Sequence, residues 1–443
     1  MRKWSVDTVL RLKVLHRPGQ LGKLVTAVAE QGALFGDIST HRMLEHYTIR
    51  DVTVETADEA QLQKVLEAVR AVDGVELISV TDRVMETHKG GKIASRSRVP
   101  INNVNDLRYV YTPGVARVAR AIQRDQQLAW ELTGLGNSVG IFTNGTRVLG
   151  LGNVGPLASL PVMEGKAVLY DRFAGISATP ILLNTLEPER FVEAVVCVAQ
   201  SFGGIHLEDI RIPDCFYIED ELKKRLRKPV MHDDQHGTAT VALAALMKAC
   251  ELTGMDIKNA HVGQLGLGAA GSAIARLAMA HGARRVYVSD LNRDAVAALE
   301  RDGAHGVDLP TLMQECDIVI AATGRPGLIT PGMVRRGQVI FALSNPDPEI
   351  DPQVAREAGA AFSSDGRTVN NALGFPSLFK GALSVRSRSI TREMMLAAAE
   401  ALASLAEPGA LLPDPLNPDV HAKVAHAVAE KAREQGLAGT AEL

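Results

Sequence analysis

Residues 261–271 read His-Val-Gly-Gln-Leu-Gly-Leu-Gly-Ala-Ala-Gly, an apolar strand pattern that runs directly into three spaced glycines. A helical pattern follows over 272–280, and a second strand pattern over 285–289 ends at Asp290. Glycines at this spacing permit a tight turn, let a pyrophosphate approach the backbone, and allow the helix to pack closely on the strand. The pyrophosphate would lie at the helix N-terminus, where backbone N–H groups are free. The stretch therefore predicts a parallel α/β sheet that binds a dinucleotide.

Asp290 indicates which dinucleotide this is. An acid after the second strand accepts hydrogen bonds from the adenosine ribose hydroxyls and repels a 2′-phosphate. The sequence therefore favours NAD over NADP, although Arg293 lies close enough to weaken the preference. The expected cofactor contacts are Gly266, Gly268, Ala269, Ala270, Gly271 and Asp290.

Two later patterns, 317–324 and 339–346, are typical of further strands in the same sheet. Ligands of such sheets gather beyond the carboxyl ends of the strands. Asn345 is therefore expected on the nicotinamide side, with an ordinary loop asparagine as the alternative.

Two acidic pairs precede the dinucleotide stretch: Glu208-Asp209 and Asp233-Asp234 each follow an apolar run. Carboxylates at strand ends are hard oxygen donors, which suit Mg²⁺ or Mn²⁺. Either pair alone is more typical of a helix cap or a surface carboxylate than of a cation site. Together they favour a divalent cation site.

Lys166 is flanked by glycine and apolar residues, so we expect it to be partly buried. Burial would lower its pKa and make it a candidate base. A surface lysine whose stem covers apolar residues is the alternative. Tyr111 precedes a Pro-Gly turn, where a core tyrosine is equally ordinary, and the sequence alone does not bring the two together.

The N-terminal patterns follow the order βαββαβ, which predicts a compact ferredoxin-like module with helices on one sheet face. The strand patterns cover 8–15, 36–46, 47–56 and 75–82, and the helical patterns cover 21–28 and 62–69.

Composition excludes several classes of function. The 443 residues carry 48 Lys+Arg against 51 Asp+Glu, so no broad basic field points to nucleic acid. Apolar stretches such as 241–247 are far shorter than the ~20 residues of a bilayer span. The N-terminus regains charge too soon for a signal peptide. These features predict a soluble, cytoplasmic protein with no membrane or nucleic-acid partner.

Seven motifs occur in order between about residues 95 and 385. They are Tyr-Thr-Pro-Gly-Val-Ala at 111–116, Val-Leu-Gly-Leu-Gly-Asn-Val-Gly at 148–155, Pro-Val-Met-Glu-Gly-Lys at 161–166, Leu-Glu-Asp-Ile at 207–210, His-Asp-Asp-Gln-His-Gly-Thr at 232–238, Ser-Asn-Pro at 344–346 and Val-Asn-Asn at 369–371. On these motifs the region resembles the small-subunit bacterial malic enzymes. The resemblance implies oxidative decarboxylation of L-malate to pyruvate and CO₂ with NAD(P) and Mn²⁺ or Mg²⁺.

The N-terminal module resembles an ACT domain, on its element order and on Arg-Pro-Gly-Gln-Leu-Gly at 17–22. That resemblance implies a small regulatory ligand at a subunit interface, with a pure packing module as the alternative. We expect the ACT-like domain over 1–85 and a linker over 86–98. A substrate and metal domain follows over 99–236, and a Rossmann-type NAD domain with C-terminal helices over 237–443.

The malic enzyme resemblance also implies roles for single residues. Lys166 would be the general base and Tyr111 the general acid, while Asp233 would hydrogen-bond Lys166 or a metal-bound water. Arg147 would bind a malate carboxylate, as in the larger malic enzymes. The implied metal ligands are Glu208, Asp209 and Asp234, and the implied contacts to nicotinamide and substrate are Asn345 and Asn371.

Two residues depart from the family pattern: His206 stands where asparagine is usual, and Ser177 where aspartate is usual. Malolactic enzyme, which releases lactate, shares the motifs and is an alternative. A ligand-sensing regulatory protein without turnover is another. Both kinds of module usually form dimers, so a homodimer or higher homo-oligomer is expected.

Overall fold

The computed structural model describes residues 6–148 and 150–442, so residues 1–5 of the N-terminal module and Leu149 of the 148–155 motif lie outside the described residues. The chain divides into two units, Met1–Ala94 and Ser95–Leu443. The division falls within the stretch 86–98 that was predicted as a linker.

The first unit is a four-stranded antiparallel sheet of order β2-β3-β1-β4 with two helices packed on one face. Leu10 and Leu12 of the first strand are fully buried against Leu24 of the first helix and Val65 of the second. This confirms the predicted ferredoxin-like βαββαβ order. The elements are β1 (Val6–Leu15), α1 (Gln20–Glu30), β2 (Leu34–Met43), β3 (Tyr47–Thr56), α2 (Glu59–Arg70), β4 (Val75–Asp82) and α3 (Arg83–His88).

The second unit begins with short helices and a parallel four-stranded sheet of order β6-β5-β7-β8. Each crossover between its parallel strands contains a helix, as parallel pairing requires. The elements are α4 (Val104–Val110), α5 (Val115–Arg124), α6 (Ala129–Leu132), β5 (Ser138–Thr143), α7 (Gly155–Ala174), β6 (Ser177–Leu182), α8 (Pro188–Val198), β7 (Gly204–Leu207), α9 (Asp214–Arg225), β8 (Val230–His232) and α10 (Asp233–Thr253).

A six-stranded parallel sheet follows, of order β11-β10-β9-β12-β13-β14. Counted from its own first strand this is 3-2-1-4-5-6, the order of a dinucleotide-binding Rossmann sheet. The predicted α/β class with a Rossmann-type sheet is therefore confirmed. The elements are β9 (His261–Leu265), α11 (Ala269–His281), β10 (Arg285–Ser289), α12 (Arg293–Arg301), β11 (His305–Gly306), α13 (Leu309–Glu315), β12 (Ile318–Ala321), β13 (Val339–Ala342), α14 (Pro352–Glu357), β14 (Phe362–Asp365), α15 (Phe375–Ser384), α16 (Arg392–Leu405) and α17 (Pro418–Glu434).

Helix α10 connects the two parallel sheets, because it starts directly after β8 and ends shortly before β9. The boundary expected between residues 236 and 237 falls inside this helix. Its apolar residues share one core with α11 and with the C-terminal helices α15, α16 and α17. Within 6–148 and 150–442 no helix is both long and apolar enough to cross a membrane.

Candidate active site

The two acidic pairs converge at the carboxyl ends of neighbouring strands. β7 and β8 are parallel partners, with Leu207 opposite His232. Glu208 and Asp209 follow the first of them, and Asp234 lies in the first turn of the helix that follows the second. Because parallel strands end at the same sheet edge, carboxylate oxygens of these three acids lie within 4.8 Å of one another.

This donor set fits a divalent cation. Three carboxylates supply the hard oxygen ligands that Mg²⁺ and Mn²⁺ take. Asp209 holds a left-handed backbone with φ of 54°, and its N–H donates to Asp234 Oδ2 at 3.0 Å. Such a backbone is uncommon outside glycine and costs ~1 kcal/mol or more. The local strain brings Asp209 back towards Asp234.

The charged groups of the cluster shift one another's pKa values. Burial, and after it the charge of Asp234, raises the pKa of Glu208 to about 7 against the opposing effect of Lys166. Burial also raises the pKa of Asp234, but the nearby imidazole of His232, the charge of Lys166 and the N–H of Asp209 together outweigh burial, so the net pKa is lowered. Crowded, buried carboxylates of this kind are stabilised by a bound cation.

Lys166, on α7, lies inside this cluster and is buried. Its Nζ donates to Asp233 Oδ2, lies 3.1 Å from Glu208 Oε1, and sits 4.5 Å from the centre of the Phe375 ring. The expected burial is therefore found. The expected fall in its pKa is wrong for this arrangement: burial lowers the pKa, but the carboxylates of Asp233 and Glu208 outweigh burial and raise it.

Asp233 joins two residues that the sequence did not connect. Its Oδ2 accepts from Lys166 and, at 2.7 Å, from Asn371 Nδ2. Asn371 shares a cavity of about 340 Å³ with Asn345. The expected base and the expected substrate asparagine are thus held by one fully buried carboxylate.

Tyr111 and Arg147 lie apart from Lys166. Tyr111 follows α4 and its residue is 72% exposed, and among the described residues no contact joins its hydroxyl to Lys166. Its role as acid stays a prediction. The exposed Arg147 lines the dinucleotide cavity, while its backbone N–H donates to Asp209 O at 3.0 Å.

The glycine loop between β9 and α11 has the geometry that the motif predicts. Gly266 has φ of 85°, and a Cβ there would lie 2.6 Å from Ala322 O. A Cβ on Gly271 would lie 1.9 Å from Gly266 O. A Cβ on Gly268 would meet only the Cδ1 of Ile212, at 3.5 Å. The loop is therefore open on the side where a ligand would approach.

Asp290 closes this loop. Its Oδ2 accepts from Leu267 N at 2.6 Å and its Oδ1 from Asn292 N at 2.7 Å. A cavity of about 460 Å³ runs from this acid past the glycines. Arg293 lines the same cavity. Ala269 and Ala270 open α11 beside the glycines, where backbone N–H groups are free of helical partners.

Glu349 is a residue that sequence reasoning missed. It is fully buried between β13 and α14 and ties two strand ends together. Oε1 accepts from Thr323 N at 2.6 Å, Thr323 Oγ1 at 2.7 Å and Ser344 Oγ at 2.5 Å, and Oε2 accepts from Ser344 N at 3.3 Å. Because Thr323 lines the dinucleotide cavity, Glu349 fixes one of its walls.

Replacing Glu349 by alanine is expected to raise the Kd for NAD about tenfold. The change leaves several buried donors unpaired, each costing ~1–3 kcal/mol, and frees the Thr323 turn. Titration of NAD by protein fluorescence measures the effect, with the exposed Glu357→Ala variant as control. An unchanged Kd in a folded Glu349→Ala variant would contradict this role.

Comparisons with known proteins agree with this geometry. Four family models match: "ACT domain" over 2–80, "Malic enzyme, N-terminal domain" over 91–223, "D-isomer specific 2-hydroxyacid dehydrogenase, NAD binding domain" over 229–325 and "Malic enzyme, NAD binding domain" over 359–435.

Relatives match over nearly the whole length. The chain is 51% identical to NAD-dependent malic enzyme 1 of Bacillus subtilis, over 93% of this chain and 94% of that protein. It is 38% identical to the NAD-dependent malic enzyme of Geobacillus stearothermophilus, over 98% of this chain and 96% of that protein. Among solved structures, the malic enzyme from Pyrococcus horikoshii superposes with a TM-score of 0.77 at 39% identity, covering 81% of this chain and 92% of that one.

Proposed function

The chain belongs to the malic enzyme family, and on that premise we propose that it oxidises and decarboxylates L-malate to pyruvate and CO₂ with NAD. The observation that carries the proposal is the placement of Lys166 between Glu208 and Asp233, beside three carboxylates that suit a divalent cation. Arg147 links this cluster to the dinucleotide cavity, since it lines the cavity and its backbone N–H donates to Asp209 O.

The residues divide the chemistry between them. When bound, a divalent cation would polarise the C2 oxygen of malate and offset the charge that raises the pKa of Lys166, and NAD would accept the hydride. Lys166 would take the proton of the C2 hydroxyl, held in place by its hydrogen bond to Asp233. After CO₂ leaves, Tyr111 would return a proton to C3. Asn345 and Asn371 would orient the substrate and the nicotinamide.

The proposed metal ligands are Glu208, Asp209 and Asp234, with Mn²⁺ or Mg²⁺ as the ion. The direct test follows NADH from L-malate and Mn²⁺, repeated with NADP and with EDTA. NADH production that EDTA abolishes is the expected result. Lactate without free NADH would instead indicate malolactic chemistry. If neither NADH nor lactate forms, the chain is a binding protein without turnover.

The choice of NAD is expected to depend on Asp290. Asp290→Ala removes the acceptor for the ribose hydroxyls and the charge that repels a 2′-phosphate, so kcat/KM with NAD should fall about 10- to 100-fold and with NADP much less. Asp294→Ala is the control, because Asp294 is an exposed acid in the first turn of α12. An unchanged NAD/NADP ratio would contradict the assignment.

The N-terminal unit is an ACT domain, and we propose that it binds a small regulatory ligand in a homodimer or higher homo-oligomer. The turn at 17–22 supports this. Gly19 opens α1 without a side-chain cap, so the helix N-terminus is available to a carboxylate. Arg17 pairs with Asp73 at 2.8 Å, which fixes the turn against the loop before β4. Activity measured with added amino acids tests the proposal.

A further inference from the structure

His206 occupies a position between the cation cluster and the core. It lies in β7, and Glu208 directly follows that strand, with its N–H still donating to Phe142 O of β5 at 3.0 Å. Side chains two residues apart in extended chain point to the same face. It is fully buried, and its Nε2 lies 2.5 Å from Glu208 Oε2. On its other side, Nδ1 lies 2.8 Å from Tyr170 Oη.

The direction of these hydrogen bonds follows from the carboxylate. As a ligand of a bound cation Glu208 is an ionised carboxylate, which only accepts, so in that state Nε2 carries the proton and donates to Glu208. Nδ1 then has a free lone pair, and it accepts from the Tyr170 hydroxyl. A single chain of donors therefore runs from Tyr170 through His206 to Glu208.

Helix α7 holds Glu208 by two routes. Lys166 and Tyr170 are four residues apart on this helix, which places them on one face. Lys166 reaches Oε1 of Glu208 directly at 3.1 Å, and Tyr170 reaches Oε2 through His206. A carboxylate has about four lone-pair sites, so both bonds leave sites for a cation.

The aromatic surroundings keep this chain in place. The Tyr170 ring packs edge-on against Phe375 with centroids 4.8 Å apart, and the His206 ring stacks on Phe379 at 5.9 Å. All four side chains are fully buried. Bulk solvent therefore does not reach the imidazole.

We propose that His206 is a positioning residue that orients Glu208 for the divalent cation, with Tyr170 fixing the orientation of His206. The inference rests on the proposed cation site. Partners behind a metal ligand typically change metal affinity 10- to 100-fold when removed. Asparagine is shorter than histidine, so His206→Asn would keep a donor near Glu208 without spanning to Tyr170.

The test measures Mn²⁺ binding to the full-length protein by the electron paramagnetic resonance signal of free Mn²⁺, without substrate. The wild type is measured first: if it does not bind Mn²⁺, the proposed cation site itself is wrong. With a binding wild type, His206→Ala should weaken the Kd for Mn²⁺ about 10- to 100-fold, and His206→Asn less. Affinity within twofold of wild type in a folded His206→Ala variant would overturn the inference.

The Tyr170→Phe variant separates a loss of His206 positioning from a loss of folding, because it keeps the buried ring and removes only the hydroxyl. In the protein that retains His206, Tyr170→Phe should weaken Mn²⁺ binding about 3- to 10-fold. In a His206→Asn background the same change should leave Mn²⁺ binding unchanged. Tyr287→Phe, a buried tyrosine of β10, is the matched control. Equal effects of Tyr170→Phe in both backgrounds would show that the hydroxyl does not act through His206.

Discussion

Replacing Lys166 by alanine is expected to lower kcat for malate oxidation about 10²- to 10⁴-fold while the Kd for NAD stays within about twofold. A positioned base contributes a factor of this size. The amine is enclosed by Asp233 and Glu208. NADH formation gives kcat, and fluorescence titration gives the Kd for NAD.

Lys248→Ala is the matched control for this variant. Lys248 is also a buried lysine in an ion pair, with Glu251 at 2.8 Å, but it lies near the other end of α10 from Asp233 and Asp234. It should keep wild-type kcat. Activity of Lys166→Ala within tenfold of wild type would remove Lys166 as the base and move the proton transfer to another group.

Much of the fold could be predicted because its local signals agree with its tertiary structure. The strand patterns at 261–265 and 285–289 coincide with β9 and β10, since apolar runs bounded by glycine or polar residues have few other ways to bury their side chains. The βαββαβ module could be predicted for the same reason. A shared site for the two acidic pairs could also be predicted, because neighbouring parallel strands end at the same edge of a sheet.

Other features depend on contacts between residues far apart in the chain. The residues around Lys166 predict that burial lowers its pKa, yet two carboxylates raise it, one directly after β7 and one at the start of α10. Glu349 lies outside the recognised motifs, and its role appears only when two strand ends meet. For Tyr170 a signal did exist, since its spacing of four residues from Lys166 places both on one helical face.

Asp234→Asn is expected to weaken Mn²⁺ binding at least about 100-fold and to lower kcat/KM for malate by at least as much. The change keeps the shape of the side chain but removes one negative charge from a set of three. It also weakens the pairing with His232, whose Nε2 lies 3.3 Å from Asp234 Oδ2. Cation affinity depends directly on ligand charge, so this loss should exceed that of any surrounding residue.

The control is Asp214→Asn, because Asp214 also lies in the first turn of a helix and carries a partner, Arg211, at 2.6 Å. Both variants lose one charge at a helix N-terminus, so any general cost to α9 or α10 is matched. Only the Asp234 variant should lose Mn²⁺. If excess Mn²⁺ restores kcat in Asp234→Asn, the acid acts by binding the ion. If Mn²⁺ affinity is unchanged while kcat falls, Asp234 is not a ligand and the carboxylates serve Lys166 instead.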